Sequence, residues 1–160
     1  MNAWQKLALV GAGIALTAAA APAPNAKLWS GAWKLNMAKS KFSAPDASEK
    51  SETRSYAVSG NRVTMHSSYT NGAGKAVKWS YSAKWDGKAY PTVGNSNADH
   101  IVLTPVSGRE VKSQTTLHGK PSATATASVS ADGKELTIDR SILTAKGGPS
   151  HDVLVFDRAK

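Results

Sequence analysis

Residues 77–85 read Val-Lys-Trp-Ser-Tyr-Ser-Ala-Lys-Trp. Val77, Trp79, Tyr81, Ala83 and Trp85 alternate with Lys78, Ser80, Ser82 and Lys84. An extended backbone puts the first set on one face and the second on the other, whereas a helix would scatter both around its circumference. The stretch is therefore a strand with one face buried and one face wet. It ends in Asp86-Gly87-Lys88, where glycine supplies the positive φ of a tight turn. The same punctuation recurs at Ser59-Gly60-Asn61, Asn71-Gly72, Ser107-Gly108, His118-Gly119 and Ala131-Asp132-Gly133-Lys134.

Between these turns the period of two repeats. Trp29, Gly31, Trp33 and Leu35 read as a first strand, and Val63, Met65, Ser67 and Tyr69 as another. Later runs cover Ile101 to Leu103, Val111 to Leu117, Ala123 to Val129, Leu136 to Ile142 and Val153 to Phe156. Short turns make consecutive strands antiparallel. A turn roughly every ten residues from Ser51 onward predicts an all-β, up-and-down antiparallel barrel of about eight to ten strands. Closure removes the two edges that an open sheet of that size would expose. Ala38 to Phe42 contains good helix formers and precedes Pro45, so a short helical turn is expected after the first strand.

The chain has 160 residues, enough for one domain, with 41% hydrophobic and 19% charged residues. It has no cysteine, so disulfides, thiolate metal sites and cysteine nucleophiles are excluded. Twenty basic residues against 11 acidic ones give a net charge of +9. The lysines are scattered over wet faces, without the basic runs and interleaved exposed aromatics of single-strand binders, so nucleic acid is not an expected partner. Weak attraction to an anionic membrane surface or polysaccharide is compatible with this charge.

Residues 1–20 hold one positive charge, Lys6, and an apolar stretch from Leu7 to Ala20, too short for a span of roughly twenty residues. They read as a signal peptide, cut between Ala20 and Ala21, since later cuts would place Pro22 or Pro24 just past the scissile bond. The expected location is the periplasm or the outside medium. Residues 21–27 read as an extended tether because Pro22 and Pro24 interrupt regular hydrogen bonding, and 28–160 as the barrel domain.

Gly31-Ala32-Trp33 on the first strand, with Arg158 on the last, resembles the signature of lipocalins and the wider calycins. The resemblance implies that Trp33 closes the barrel floor with Arg158 packed over it. Through Gly31 to Asn36, Ala38 to Phe42, Tyr81 to Lys88 and Gly94 to Asp99, the chain from about residue 28 to 158 is also similar to secreted bacterial lipocalin-like proteins. That implies a cup for a small hydrophobic molecule. The disulfides and the aspartate-containing middle motif of vertebrate lipocalins are missing.

Strand parity places Trp79, Tyr81 and Trp85 inside, together with Tyr56 and Val58 on one neighbouring strand and Met65 and Tyr69 on another. Arg54 and Arg140 fall on the same inward faces. A guanidinium there needs an anion or a fixed acceptor. A ligand carboxylate would satisfy it, which predicts an acidic-headed amphiphile, and Arg54-x-Tyr56 resembles the carboxylate-clamping Arg-x-Tyr of intracellular fatty-acid-binding proteins. Arg54 has a second reading, at the rim reaching water or paired with Glu52, and Arg140 one in which it pairs with Asp139 or Asp157 or snorkels out to solvent. The aromatic residues also have two readings, lining a cavity or filling a solid core; a filled barrel would leave an envelope-associated interaction protein acting through its basic surface. The candidate binding residues are thus Arg54, Tyr56, Met65, Tyr69, Trp79, Tyr81, Trp85 and Arg140.

A binding protein is expected, monomeric and without cofactor, rather than an enzyme. His66, His100, His118 and His151 lack metal-ligand spacing. Asp99-His100 and His151-Asp152 are adjacent residues, which on a strand point to opposite faces. Asn95, Asn97 and Asp99 read as a turn satisfied by its own side chains.

Overall fold

The computed structural model describes residues 21–44, 49–144 and 148–160. The expected signal peptide, residues 1–20, lies outside them. The chain enters through α1 (Ala26–Trp29), with the Asn25 side chain capping the Lys27 N–H. The strands that follow are β1 (Gly31–Leu35), β2 (Lys41–Phe42), β3 (Ser51–Ser59), β4 (Arg62–Thr70) and β5 (Ala76–Lys84). Then come β6 (Ala89–Val93), β7 (His100–Ser107), β8 (Glu110–Leu117), β9 (Lys120–Val129), β10 (Glu135–Ile142) and β11 (Ser150–Arg158).

Each strand from β3 to β11 pairs antiparallel with the next, and β1 pairs with both β3 and β11. The sheet is closed. β2 continues along the same edge of β11, with Lys41 opposite Val153 and Phe42 opposite Asp152, so β1 and β2 are two halves of one interrupted stave and the barrel has ten. The interruption is a helical turn in which the Ser40 N–H donates to the Asn36 carbonyl at 3.1 Å. Pro45, expected to end that turn, lies outside the described residues.

Two expectations change at the start of the chain. Asn25 to Lys27, read as tether, belong to the capped helical turn, and Trp29, read as a strand residue, is its last member. The strand begins only at Gly31. Asn25 caps through its side chain and its N–H donates to the Gly108 carbonyl, which anchors the turn across one end of the barrel. Trp29 hangs from the same carbonyl through its indole N–H at 3.1 Å.

That end is filled. Trp33, Val63, Leu136, Leu154 and Phe156 are fully enclosed, with Leu35, Leu103, Val111 and Val129 around them. Arg158 stacks 4.2 Å over the Trp33 ring and donates to the carbonyls of Leu28, Ser30 and Gly133. A cation thus ties α1, the β9–β10 turn and the barrel floor together. Gly31, at φ +126, lies against this guanidinium, and a Cβ there would sit 2.6 Å from its Nη1. Glycine before Trp33 is a steric requirement of the Arg158 lid.

Candidate functional site

The other half of the barrel is hollow. Its cavity measures about 190 Å³, room for on the order of ten water molecules. The physical cause is the choice of inward residues. On one wall β3, β4 and β5 point Arg54, Tyr56, Tyr69, Trp79 and Tyr81 inward, while β8 and β9 answer with Ser113, Thr115, Ala123, Ala125 and Ala127. Large side chains face small ones across a ten-stranded cross-section, and the small ones do not reach the middle. A wholly filled core is therefore not what this sequence makes.

The hollow has two chemically different ends. Towards α1 lie Trp29, Tyr56, Tyr81 and Trp85, with Trp29 set edge-on to Tyr56 at 6.0 Å between ring centroids and 6.4 Å from Trp85. Trp79 leans on Tyr81 at 5.9 Å. Away from α1 the lining becomes polar and charged, with Glu49, Glu52, Arg54, Tyr69 and Arg140. Asn95 and Asn97 join them from the β6–β7 turn, where the Asn95 side chain accepts from the Asn97 N–H, as the self-satisfied turn predicted.

Both inward arginines meet protein carboxylates. Arg54 Nε lies 2.5 Å from Glu52 Oε1, an oxygen that also accepts from the Ser67 hydroxyl at 2.6 Å. The guanidinium sits between the rings of Trp79 and Phe156, at 5.8 and 5.2 Å. Burial pushes its pKa down, but Glu52 and the Tyr56 hydroxyl more than offset this and hold it above the ordinary arginine value. Arg140 makes a two-pronged bond to Glu49, 2.8 Å on each side, and reaches Asp152 at 3.0 Å. Burial disfavours the Glu49 carboxylate, yet Arg140 draws its pKa below the usual range.

These pairings correct two expectations. Arg140 takes neither Asp139 nor Asp157, because both lie on the outer face of the sheet: Asp139 contacts His151 at 2.7 Å, and Asp157 accepts from Asn36 and Lys39. Residues two apart share a face and neighbours do not. The second is the premise behind an acidic-headed ligand, that the inward guanidiniums lack an anion: Glu52, Glu49 and Asp152 already supply one.

Arg54, Tyr56, Tyr69, Trp79, Tyr81, Trp85 and Arg140 all line the hollow. Met65 does not. It lies in the packed core, paired with Tyr56 on one side and Tyr81 on the other, and those longer side chains reach the cavity in its place. Val58 packs against the core near α1. Gly31, Trp33 and Arg158 form the floor described above. The pairing of Arg54 with Glu52, one of the two readings of the sequence, is what the structure shows, though inside the barrel rather than at its rim; Glu49 as an interior carboxylate and Trp29 as a lining residue were not read. The inward alanines were not read either, although Ala123-Thr124-Ala125-Thr126-Ala127 shows small residues at every second position. Asp99 and His100 do touch, at 3.1 Å, because Asp99 precedes β7 and is not bound by strand alternation.

Two buried polar atoms at this site have no hydrogen-bond partner among the described residues: Glu52 Oε2 and Trp85 Nε1. Such atoms are costly unless something enters to meet them. One is an acceptor in the charged region and the other a donor in the aromatic region.

No protein-family model matches the chain, and no curated protein does. Among solved structures it is similar to zebrafish ileal bile acid-binding protein complexed with cholic acid. The TM-score is 0.54 at 13% identity, over 82% of this chain and 99% of that one. It is also similar to EF1p2_mFAP2b bound to DFHBI, at a TM-score of 0.48 and 9% identity, over 84% of this chain and 96% of that one. The first likeness shows the fold, a calycin-like antiparallel barrel.

Proposed function

We propose that the protein is a binding protein that holds one small hydrophobic or amphiphilic molecule in the hollow half of its barrel. The observation that carries this reading is the division of the cavity into an aromatic region beside α1 and a polar region away from it. An amphiphile would put its apolar body against Trp29, Tyr81 and Trp85 and its polar group among the charged residues. The unpartnered Trp85 N–H supports an occupant, since a dry apolar cavity leaves it unmet. The fold neighbour complexed with cholic acid supports the same class of ligand. The leader-like residues 1–20 support an exported protein, which N-terminal sequencing of material from the native host would test by finding Ala21 first.

The test of binding uses N-phenylnaphthylamine, a neutral dye that brightens in apolar surroundings. The purified protein brightens it saturably, with one dye per chain. Ala125→Phe puts a ring into the hollow from the small-residue wall and abolishes the signal while circular dichroism and the thermal midpoint are retained. Undiminished dye binding by the folded variant would place the dye elsewhere and overturn the reading.

A further inference from the structure

Resting on that reading, we propose that the head group accepted by this cavity is a hydrogen-bond donor without negative charge, an ammonium or a hydroxyl, and that Glu52 receives it. Glu52 is 2% exposed, lines the hollow, and uses only Oε1 for Arg54 and Ser67, leaving Oε2 without a partner among the described residues. A buried carboxylate oxygen in that condition accepts a proton-bearing group and repels a second carboxylate.

The surrounding charge points the same way. Arg54 and Arg140 supply two positive charges, and Glu49, Glu52 and Asp152 supply three negative ones, so the polar end carries a net charge of −1 among the described residues. Both guanidiniums are engaged by carboxylates. A carboxylate-headed ligand would bring a further negative charge to an end whose net charge is already negative, beside the unmet Glu52 Oε2. A donor-headed ligand completes the arrangement as it stands: an ammonium cancels the residual charge, and a hydroxyl meets Oε2 at no electrostatic cost. The strongly basic exterior of the molecule does not change this choice, because the groups within reach of the head are the interior ones.

Three molecules with one hydrocarbon body separate the possibilities: phenylbutylamine, phenylbutanol and phenylbutanoate, titrated calorimetrically into the full mature chain at neutral pH. The amine and the alcohol are each expected to bind at least about tenfold more tightly than the carboxylate. A carboxylate that binds as tightly as either, or more tightly, overturns the head-group assignment and leaves the binding function intact. If none of the three binds and the dye also fails, the binding function itself falls, and this inference with it. Glu52→Gln supplies a second arm, since it removes the charge and frees Arg54 for an anion. The folded variant is expected to lose the preference for the amine and gain affinity for phenylbutanoate, and an unchanged order of affinities would contradict the role of Glu52. Should that variant fail to fold, the comparison on the natural chain still decides.

Discussion

At position 31 the chain needs a residue that tolerates φ +126 and leaves space for the Arg158 guanidinium, and glycine alone does both. Gly31→Ala is expected to cost on the order of 2 kcal/mol, a fall in Tm of roughly 5 °C, because Arg158 must give up either its carbonyl bonds or its place over Trp33. Thermal denaturation checks this, and an unchanged midpoint would show that the lid contributes little. Single residues were unevenly legible. Arg54, Tyr56, Trp79, Tyr81 and Trp85 followed from parity, since a strand's period of two leaves little choice of face. Their partners followed only in part: Glu52 stood as one of two readings for Arg54 and is the one the structure shows. Whether a guanidinium waits for a ligand or is met by Glu52 depends on which side chain two positions away turns inward with it. Glu49, the partner of Arg140, comes from a segment between strands that carries no periodicity.

Among the elements, β6 differs from its neighbours. It pairs with β5 only at Ser80–Val93 and Tyr81–Thr92, whereas β4 and β5 pair along their full lengths. Pro91 in its middle has no N–H to give, and Gly94 ends it at φ +78, where a Cβ would sit 2.3 Å from the Lys78 carbonyl oxygen. The amide protons of β6 are therefore expected to exchange with solvent faster than those of β4, β8 and β9, as read by native-state hydrogen exchange. Equal protection along all of these strands would show the wall to be uniform. The same proline explains why Ala89–Val93 was not read as a strand: it interrupts the pattern that marked Val77 to Trp85. β2, at two residues, is too short to show a period at all. The turns at Gly60, Gly87, Gly119 and Gly133 were legible because positive φ selects few residues, and His118-Gly119 has both residues there; in the β4–β5 turn the positive φ falls on Gly74 rather than Gly72, and Gly108 turns without it.

For the whole molecule, closure was predictable from strand number and turn spacing, but the division into a filled half and a hollow half was not. That division arises from which large and small side chains share the interior, as where Tyr56 and Trp79 line the same hollow as Ala125 and Ala127. Periodicity along a strand carries no information about what stands across from it. A ligand received in this hollow would be reported directly by the indole N–H protons. Trp33 donates to the Trp29 carbonyl within the packed floor, whereas Trp85 lines the hollow with its N–H unmet. In a heteronuclear NMR titration with phenylbutanol, the Trp79 and Trp85 indole signals are expected to shift saturably while that of Trp33 stays in place. Indole signals that all remain still through the titration would contradict ligand binding in the hollow.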